Sequence, residues 1–536
     1  MKNPTFWNND WRQQTWSRLD KPWDVVIVGG GITGAGILRE AVRSGLSTLL
    51  VEAHDFASGT SSRSSKLVHG GLRYLKNAQF RITLESVSER ERLLREGRGL
   101  INRLGFLYTN MENDPFPGWV FRCGLVLYDL MAKQWSHRHY NTEDMRRLCP
   151  LLTSSNLRGG YRYFDALTDD ARLVLRVIRE AVRDGGTALN YARAERLLRK
   201  RDGGVCGVAL TDTSPNGKGR TIEVEASMVV NAAGAWADTL RNQLGKDNRL
   251  RPLRGSHLVF PSDRIPLNRA ISFLHPKDGR PVFIIPWEGV TFIGTTDVDH
   301  PEPLIQDPTI SSAETEYLLT ATQYVFPEQG ITYDDIVSTF SGIRAVIGTG
   351  KADPSKESRE HAVWEEDGLL TVTGGKLTTF RLMAQSALMA MRGKFPHAKS
   401  IDPDWPILDP ISERTPATED FPALDPTALL RLFGRYTSDT TDILASTTPE
   451  ELTPIPGTPY VWAEMRWASQ AEGVIHLDDL LLRRLRLGIL LPRGGLDLIN
   501  KIKEIAQPEL GWNDQRWANE VKTYKKLLEK SYNPYI

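Results

Sequence analysis

The order Asp24-Val25-Val26-Ile27-Val28-Gly29-Gly30-Gly31-Ile32-Thr33-Gly34 constrains this chain more than any other segment. A short apolar run without polar alternation reads as a strand buried on both faces, and here it passes straight into glycines that open a helix. Roughly twenty residues on, the apolar run Leu49-Leu50-Val51 ends in Glu52. Strand, glycine turn, helix, strand and acid in that order form a dinucleotide-binding unit. Gly29 makes the tight turn, Gly31 lets the backbone approach a pyrophosphate, and Gly34 lets the helix lie close to the strand. The first amides of the helix then face two phosphates, and Glu52 accepts hydrogen bonds from ribose hydroxyls. The motif alone does not choose between NAD and FAD.

A chain of 536 residues is too long for one ordinary core, so two or three domains are expected. With 40% hydrophobic residues, 25% charged residues and a formal net charge of +1, the composition is that of a soluble enzyme. That balance argues against a general nucleic-acid binder. Cys123, Cys149 and Cys206 are too few and too far apart for a disulfide scaffold or a thiolate cluster, which points to a reducing compartment. No His, Cys, Asp or Glu spacing supports a metal site. The sequence has neither a long apolar stretch nor a signal-peptide core, so no membrane span is expected, while contact with a membrane surface stays open.

Residues 1–22 carry Trp7, Trp11 and Trp16 and read as an extension outside the nucleotide fold. The nucleotide unit follows as a strand at 24–28, a helix from 32 to 44 and a strand at 47–52. Residues 57–66 are crowded with Gly, Ser and Thr, and 81–98 read as an amphipathic helix. A helix over 168–181 is capped by Thr168 or Asp169 and ended by Gly185-Gly186. Met228-Val229-Val230-Asn231-Ala232-Ala233-Gly234 reads as a buried strand feeding another tight turn, and residues 371–391 repeat the strand, turn, helix order. Between them, segments at 256–260, 270–274, 282–286 and 290–294 predict an antiparallel sheet. The expected fold class is α/β plus α+β. A discontinuous Rossmann-like domain takes 23–80, 150–235 and 335–395, and an antiparallel-sheet substrate domain takes 81–149 and 236–334. A Pro-rich boundary at 403–422 precedes an all-helical C-terminal domain over 405–536, with helices near 427–435, 458–471, 477–488, 496–504 and 514–530.

Several motifs occur together in one order. They are Thr60-Ser61-Ser62-Arg63-Ser64-Ser65-Lys66-Leu67-Val68-His69-Gly70-Gly71-Leu72-Arg73-Tyr74-Leu75, Asp169-Asp170-Ala171-Arg172-Leu173, Asn231-Ala232-Ala233-Gly234-Ala235-Trp236, Arg254-Gly255-Ser256-His257, Gly294-Thr295-Thr296-Asp297, Ser341-Gly342-Ile343-Arg344 and Gly374-Gly375-Lys376-Leu377-Thr378-Thr379. With the first glycine motif they make residues 24–390 resemble the FAD-dependent glycerol-3-phosphate dehydrogenases of the aerobic bacterial type. Alanine at 345, Arg63 within its serine run and the N-terminal extension depart from that pattern without removing a proposed charged ligand.

The resemblance implies FAD and the oxidation of sn-glycerol 3-phosphate to dihydroxyacetone phosphate, with electrons passed to a membrane quinone. A phosphate dianion needs cations: the resemblance makes Arg344 the main phosphate ligand with Arg359 nearby, and Arg73 and Lys376 the groups at the substrate–flavin side. His257 is the preferred proton acceptor, because an imidazole titrates near neutral pH, and His69 is the second candidate, better read as a flavin or loop contact. Ser64, Ser65, Lys66, His69, Gly234, Thr296, Asp297, Gly374, Gly375, Leu377 and Thr378 join Gly29, Gly31, Gly34 and Glu52 as cofactor residues. Asp169 and Asp170 read better as helix caps than as paired acids.

A quinone acceptor requires access to lipid. Trp7, Trp11 and Trp16, the set Trp512, Arg516, Trp517, Lys522, Tyr524, Lys525, Lys526 and Lys530, and Arg483-Arg484-Leu485-Arg486 are the candidates for meeting an anionic phospholipid surface. The implied location is the cytoplasmic face of the inner membrane, and a homodimer is open. Three other readings remain: a soluble oxidase of the same substrate using oxygen, an amino-acid oxidase, and a flavin-containing binding or assembly protein.

Overall fold

The computed structural model describes residues 6–8, 10–72, 75, 79–115, 117–305, 307–348, 350, 357, 360–411, 421 and 424–533. Its first sheet runs in the order His361–Glu366, Leu369–Gly374, Thr221–Asn231, Trp23–Val28, Thr48–Val51, Thr187–Leu189. All neighbours in that order are parallel except the first pair, with Val25 opposite Met228, Val26 opposite Leu49 and Val229 opposite Leu369. The central strands are continuous apolar runs because both faces are covered. The helix Ile32–Arg43 packs against Phe380–Met391 and Asp170–Arg183. Gly36 lets the first two helices touch: a Cβ there would stand 3.0 Å from Phe380 Cδ2. An antiparallel ribbon, Ala192–Arg199 and Val205–Asp212, extends from the lower half of Thr221–Asn231.

The second sheet follows the order Val298–Asp299, Leu250–Pro261, Val290–Gly294, Pro281–Trp287, Ala270–Leu274, Ile101–Met111, Leu157–Thr168, Leu67–Val68. Ser338–Ile347 also pairs with Leu250–Pro261, and Arg138–Tyr140 with Leu157–Thr168. Only Ala270–Leu274 with Ile101–Met111 is parallel among these pairs. The four strands expected between 256 and 294 are all present. Three strands inside segments assigned to the nucleotide domain, Leu67–Val68, Leu157–Thr168 and Ser338–Ile347, hydrogen bond in this second sheet instead. Leu157–Thr168 and Ser338–Ile347 pair with long strands outside those segments, and Leu67–Val68 joins through Leu157–Thr168, so local pattern could not reveal the switch.

The C-terminal helices Trp462–Ala471, Ile499–Leu510 and Asp514–Leu527 share a core with the second sheet, where Leu477, Leu481, Leu487 and Tyr524 join Trp287, Phe292 and Phe340, while Pro426–Tyr436 and Asp439–Ser446 form a separate cluster with Trp462–Ala471. Buried charge joins this region to the first sheet. Asp55 accepts from Arg483 Nε at 2.6 Å and from Arg484 at 2.7 and 2.9 Å. Asp170 pairs with Lys66 at 3.3 Å and Arg486 at 2.9 Å, and Glu472 pairs with Arg172.

Two expectations are corrected here. The N-terminal segment is no separate extension: Trp7 is buried in the core beneath the first sheet, its amide donating to Ala471 O at 3.0 Å. Within the short helix Trp11–Trp16, Arg12 donates to Tyr191 O at 2.7 Å and Asp212 at 2.6 Å. The proposed lipid-facing sets are largely enclosed as well. Trp16, Trp512, Trp517 and Tyr524 are core side chains, and Arg483, Arg484 and Arg486 are spent on the buried carboxylates, although Lys522, Lys525, Lys526 and Lys530 are exposed.

Candidate active site

Three glycine turns leave the C-terminal ends of the parallel strands Trp23–Val28, Thr221–Asn231 and Leu369–Gly374, the end at which such sheets bind ligands. At the first turn Gly29 has φ +120°, and a Cβ on it would stand 2.4 Å from Ala232 O. A Cβ on Gly34 would lie 1.9 Å from Gly29 O, so the helix start is pressed onto the turn. At Gly31 the nearest atom to a Cβ is Ser61 Oγ at 3.1 Å, so a side chain there would press on the serine that receives the Ile32 amide. Gly31 is the N-cap and supplies no side chain, so the first helix turn presents its amides forward. Ile32 N donates to Ser61 Oγ at 3.0 Å. Glu52 accepts from Gly30 N at 2.7 Å and His54 N at 2.9 Å, and burial pushes its carboxyl above the usual range.

Gly234 has φ +57°, while Gly374 and Gly375 have φ +78° and +69°. The turn after Gly375 is latched to the segment before Gly70: His69 N donates to Thr378 Oγ1 at 3.0 Å, and Thr378 Oγ1 donates to His69 O at 3.1 Å. Leu377 is half-buried in the same turn, and Lys376 Nζ donates to Ser86 Oγ. The backbone of His69 is thus fixed against Thr378.

A second group gathers where the two sheets meet. His257 pairs across strands with Gly294 and Phe340, stacks on the Phe340 ring at 4.4 Å, and is 1% exposed. Its Nε2 is 2.8 Å from Ser65 Oγ. Burial first, then the charges of Lys66 and Arg344, push the imidazole well below its ordinary value of 6.5, so it is neutral rather than titrating near pH 7. Arg344 donates through one nitrogen to Thr296 O at 3.2 Å and Asp297 Oδ1 at 2.9 Å, and through the other to Thr295 Oγ1 at 2.9 Å. Gly255 gives it room, since a Cβ there would stand 2.2 Å from the guanidinium.

Two proposed cofactor contacts are turned elsewhere. Lys66 is fully buried, pointing at Asp170 with its Nζ over the rings of Trp287 and Phe340, and burial lowers its ammonium to about 7. Ser64 donates both its amide, at 3.0 Å, and its hydroxyl, at 2.7 Å, to the same carboxylate. Asp169 caps its helix by accepting from Arg172 N at 3.3 Å and also meets Arg435, so the capping reading holds. Arg73 and Arg359 lie outside the described residues. Among the described residues no cluster of His, Cys, Asp and Glu could hold a metal, and no helix is long and apolar enough to cross a membrane.

Residues 24–390 match the family model described as FAD dependent oxidoreductase, and residues 380–517 match the C-terminal domain of alpha-glycerophosphate oxidase. Glycerol-3-phosphate dehydrogenase 2 of Mycobacterium bovis is 36% identical over 97% of this chain and 90% of its own length. The chain belongs to the FAD-dependent glycerol-3-phosphate dehydrogenase family. Another member, the aerobic glycerol-3-phosphate dehydrogenase of Staphylococcus epidermidis, is 35% identical over 87% of each chain. The solved glycerol-3-phosphate dehydrogenase of Bacillus halodurans, complexed with FAD, superposes with a TM-score of 0.75 at 28% identity, covering 97% of this chain and 98% of that one. FAD is thus the cofactor of this family member, and the residues present fit it: the forward amides after Gly31 suit a pyrophosphate, and the glycine turns let backbone approach a ring system.

Proposed function

We propose that this protein oxidises sn-glycerol 3-phosphate to dihydroxyacetone phosphate, with the electrons passing to a membrane quinone. The observation that carries the reading is the planar fork of Arg344, held by Thr295, Thr296 and Asp297 within electrostatic reach of the neutral imidazole of His257. FAD, when bound, supplies the acceptor for the hydride leaving C2. Arg344 takes the substrate phosphate in charge-assisted hydrogen bonds, and Lys376 with Arg73 holds the reacting end. His257, kept neutral by burial, accepts the hydroxyl proton, and Ser65 fixes its Nε2. Arg359 assists at the phosphate. With a two-electron dye, the protein forms one dihydroxyacetone phosphate per dye reduced and leaves glycerol untouched. Equal turnover of glycerol would contradict the phosphate requirement, and stoichiometric hydrogen peroxide without dye would favour an oxygen-using oxidase.

Arg344→Ala raises the KM for sn-glycerol 3-phosphate about ten- to hundredfold, the scale of a lost charge-assisted contact of about 1.5–3 kcal/mol. Arg344→Lys recovers part of that loss, since an ammonium lacks the planar fork. An unchanged KM in steady-state assays of the alanine variant removes Arg344 from the phosphate site.

Quinone access requires a lipid contact, and the helix Gly118–Ala132 supports one. Trp119, Cys123, Leu127 and Leu130 follow one helical face and are exposed, while Phe121, Leu125 and Tyr128 turn inward. Trp119 is 65% and the nearby Trp135 70% exposed. Exposed Phe80 and Leu84 lie on the helix Phe80–Glu96 packed alongside. Between residues 117 and 141 the one carboxylate, Asp129, is buried against Ser136 and His137, leaving Arg122, Lys133 and Arg138 as the exposed charge. Apolar and aromatic side chains beside exposed cations suit an anionic bilayer. Leu127→Glu/Leu130→Glu abolishes co-sedimentation with phosphatidylglycerol vesicles and leaves dye-linked activity unchanged. Retained vesicle binding by this variant would contradict the assignment, and a shift from dimer to monomer instead would make the face an interface between copies.

A further inference from the structure

Glu314, near the start of the helix Ser312–Val325, is buried and none of the motifs above includes it. Its Oε1 accepts from Ser256 Oγ at 2.8 Å and Thr296 Oγ1 at 2.6 Å. Its Oε2 accepts from Arg254 Nε at 3.0 Å, Ser311 N at 3.0 Å and Ser311 Oγ at 2.8 Å. One carboxylate therefore ties together the strand Leu250–Pro261, the turn Gly294-Thr295-Thr296-Asp297 and the start of a helix. The ties continue: Ser256 N donates to Thr296 Oγ1 at 2.9 Å, and Ser256 Oγ lies 2.8 Å from Ser341 Oγ on the strand that carries Arg344.

The Arg344 fork donates to Thr295 Oγ1, Thr296 O and Asp297 Oδ1, three consecutive residues of that turn. Thr296 faces both ways, its carbonyl to Arg344 and its hydroxyl to Glu314. A helix cap alone needs only the Ser311 contacts; the Oε1 contacts are additional and face the turn. Burial alone would raise the carboxyl of Glu314, but the hydrogen bonds from Thr296 and Ser311 and the charge of Arg254 hold it below its usual range, so it is an acceptor only.

We propose that Glu314 is a positioning residue that sets the direction of the Arg344 fork through Thr296, and thereby the affinity for the phosphate of the substrate. This rests on Arg344 as the phosphate ligand. A glutamine at 314 must aim either its Nε2 at the donors Arg254 and Ser311 or its Nε2 at the hydroxyls of Ser256 and Thr296, so one side of the cluster loses an acceptor.

The test is a double-mutant cycle of Glu314→Gln and Thr296→Val, with KM and kcat for sn-glycerol 3-phosphate measured at matched FAD content. Each single variant raises KM about tenfold, as one displaced charge-assisted contact does, with kcat within about threefold of the parent, and the double variant is no worse than either single one. A parental KM in both single variants, or effects that multiply in the double variant, overturns the proposal. If Glu314→Gln fails to fold, Thr296→Val decides alone: a parental KM rejects the relay. If Arg344→Ala also leaves KM unchanged, the phosphate reading itself fails; if it raises KM while the other two do not, only the role of Glu314 fails.

Discussion

His257→Asn keeps FAD bound and slows anaerobic flavin reduction by about 10²–10⁴-fold, the usual scale for a positioned proton acceptor. Asparagine fills much of the imidazole's place on Phe340 and can bond Ser65, so the loss is chemical rather than a collapse of packing. Single-turnover reduction isolates this step from electron transfer onward, which steady-state rates can hide. The pH dependence follows from the sign of the shift. A group pushed below 6.5 stays in its neutral, accepting form as pH falls, so the acid limb of the reduction rate lies below that value. It is measured at saturating substrate, because a phosphate monoester titrates near pH 6. A parental rate in His257→Asn across pH 6–9 removes His257 from the chemistry and makes His69 or a water the next acceptor to test.

Gly34→Ala and Gly31→Ala separate two reasons for glycine in one motif. A Cβ at 34 meets the Gly29 carbonyl at 1.9 Å, backbone against backbone, and the helix must lift off the strand. We expect a loss of about 3 kcal/mol or more, above the usual overpacking range, and loss of FAD with it. At 31 the added methyl meets Ser61 Oγ at 3.1 Å, the end of a small side chain. That variant lowers the melting temperature of the apoprotein less than Gly34→Ala does but releases FAD, because a methyl now crowds the turn that a pyrophosphate must approach closely. Thermal melting with FAD stoichiometry distinguishes them; a Gly34→Ala protein of parental stability contradicts the close packing described here.

Glycine turns, strand order around them and the C-terminal helices were legible because each depends on residues close in sequence. The strand–turn–helix over 24–43 and the cap at Asp169 follow from local backbone requirements alone. What escaped depends on distance. Asp55 and Arg483 are 428 residues apart, and nothing near Arg483-Arg484-Leu485-Arg486 distinguishes a buried ion cluster from a basic surface. Lys66 likewise reads as a ligand beside serines until Asp170 is placed against it. The helix Gly118–Ala132 lacks a polar face, so its periodicity is silent, and that same feature makes it the apolar surface. Glu314 carries a capping-box signal with Ser311, but its second task depends on a turn whose position only the folded sheet supplies.

FAD and a phosphorylated alcohol are expected to meet in one site of this chain. Anaerobic addition of sn-glycerol 3-phosphate to the purified holoprotein, followed in the flavin absorption spectrum, tests it most directly. The expected result is loss of the oxidised-flavin band in one rapid phase, with glycerol and amino acids leaving the band intact. An oxidised band that persists with glycerol phosphate, or one bleached by an amino acid instead, would contradict it.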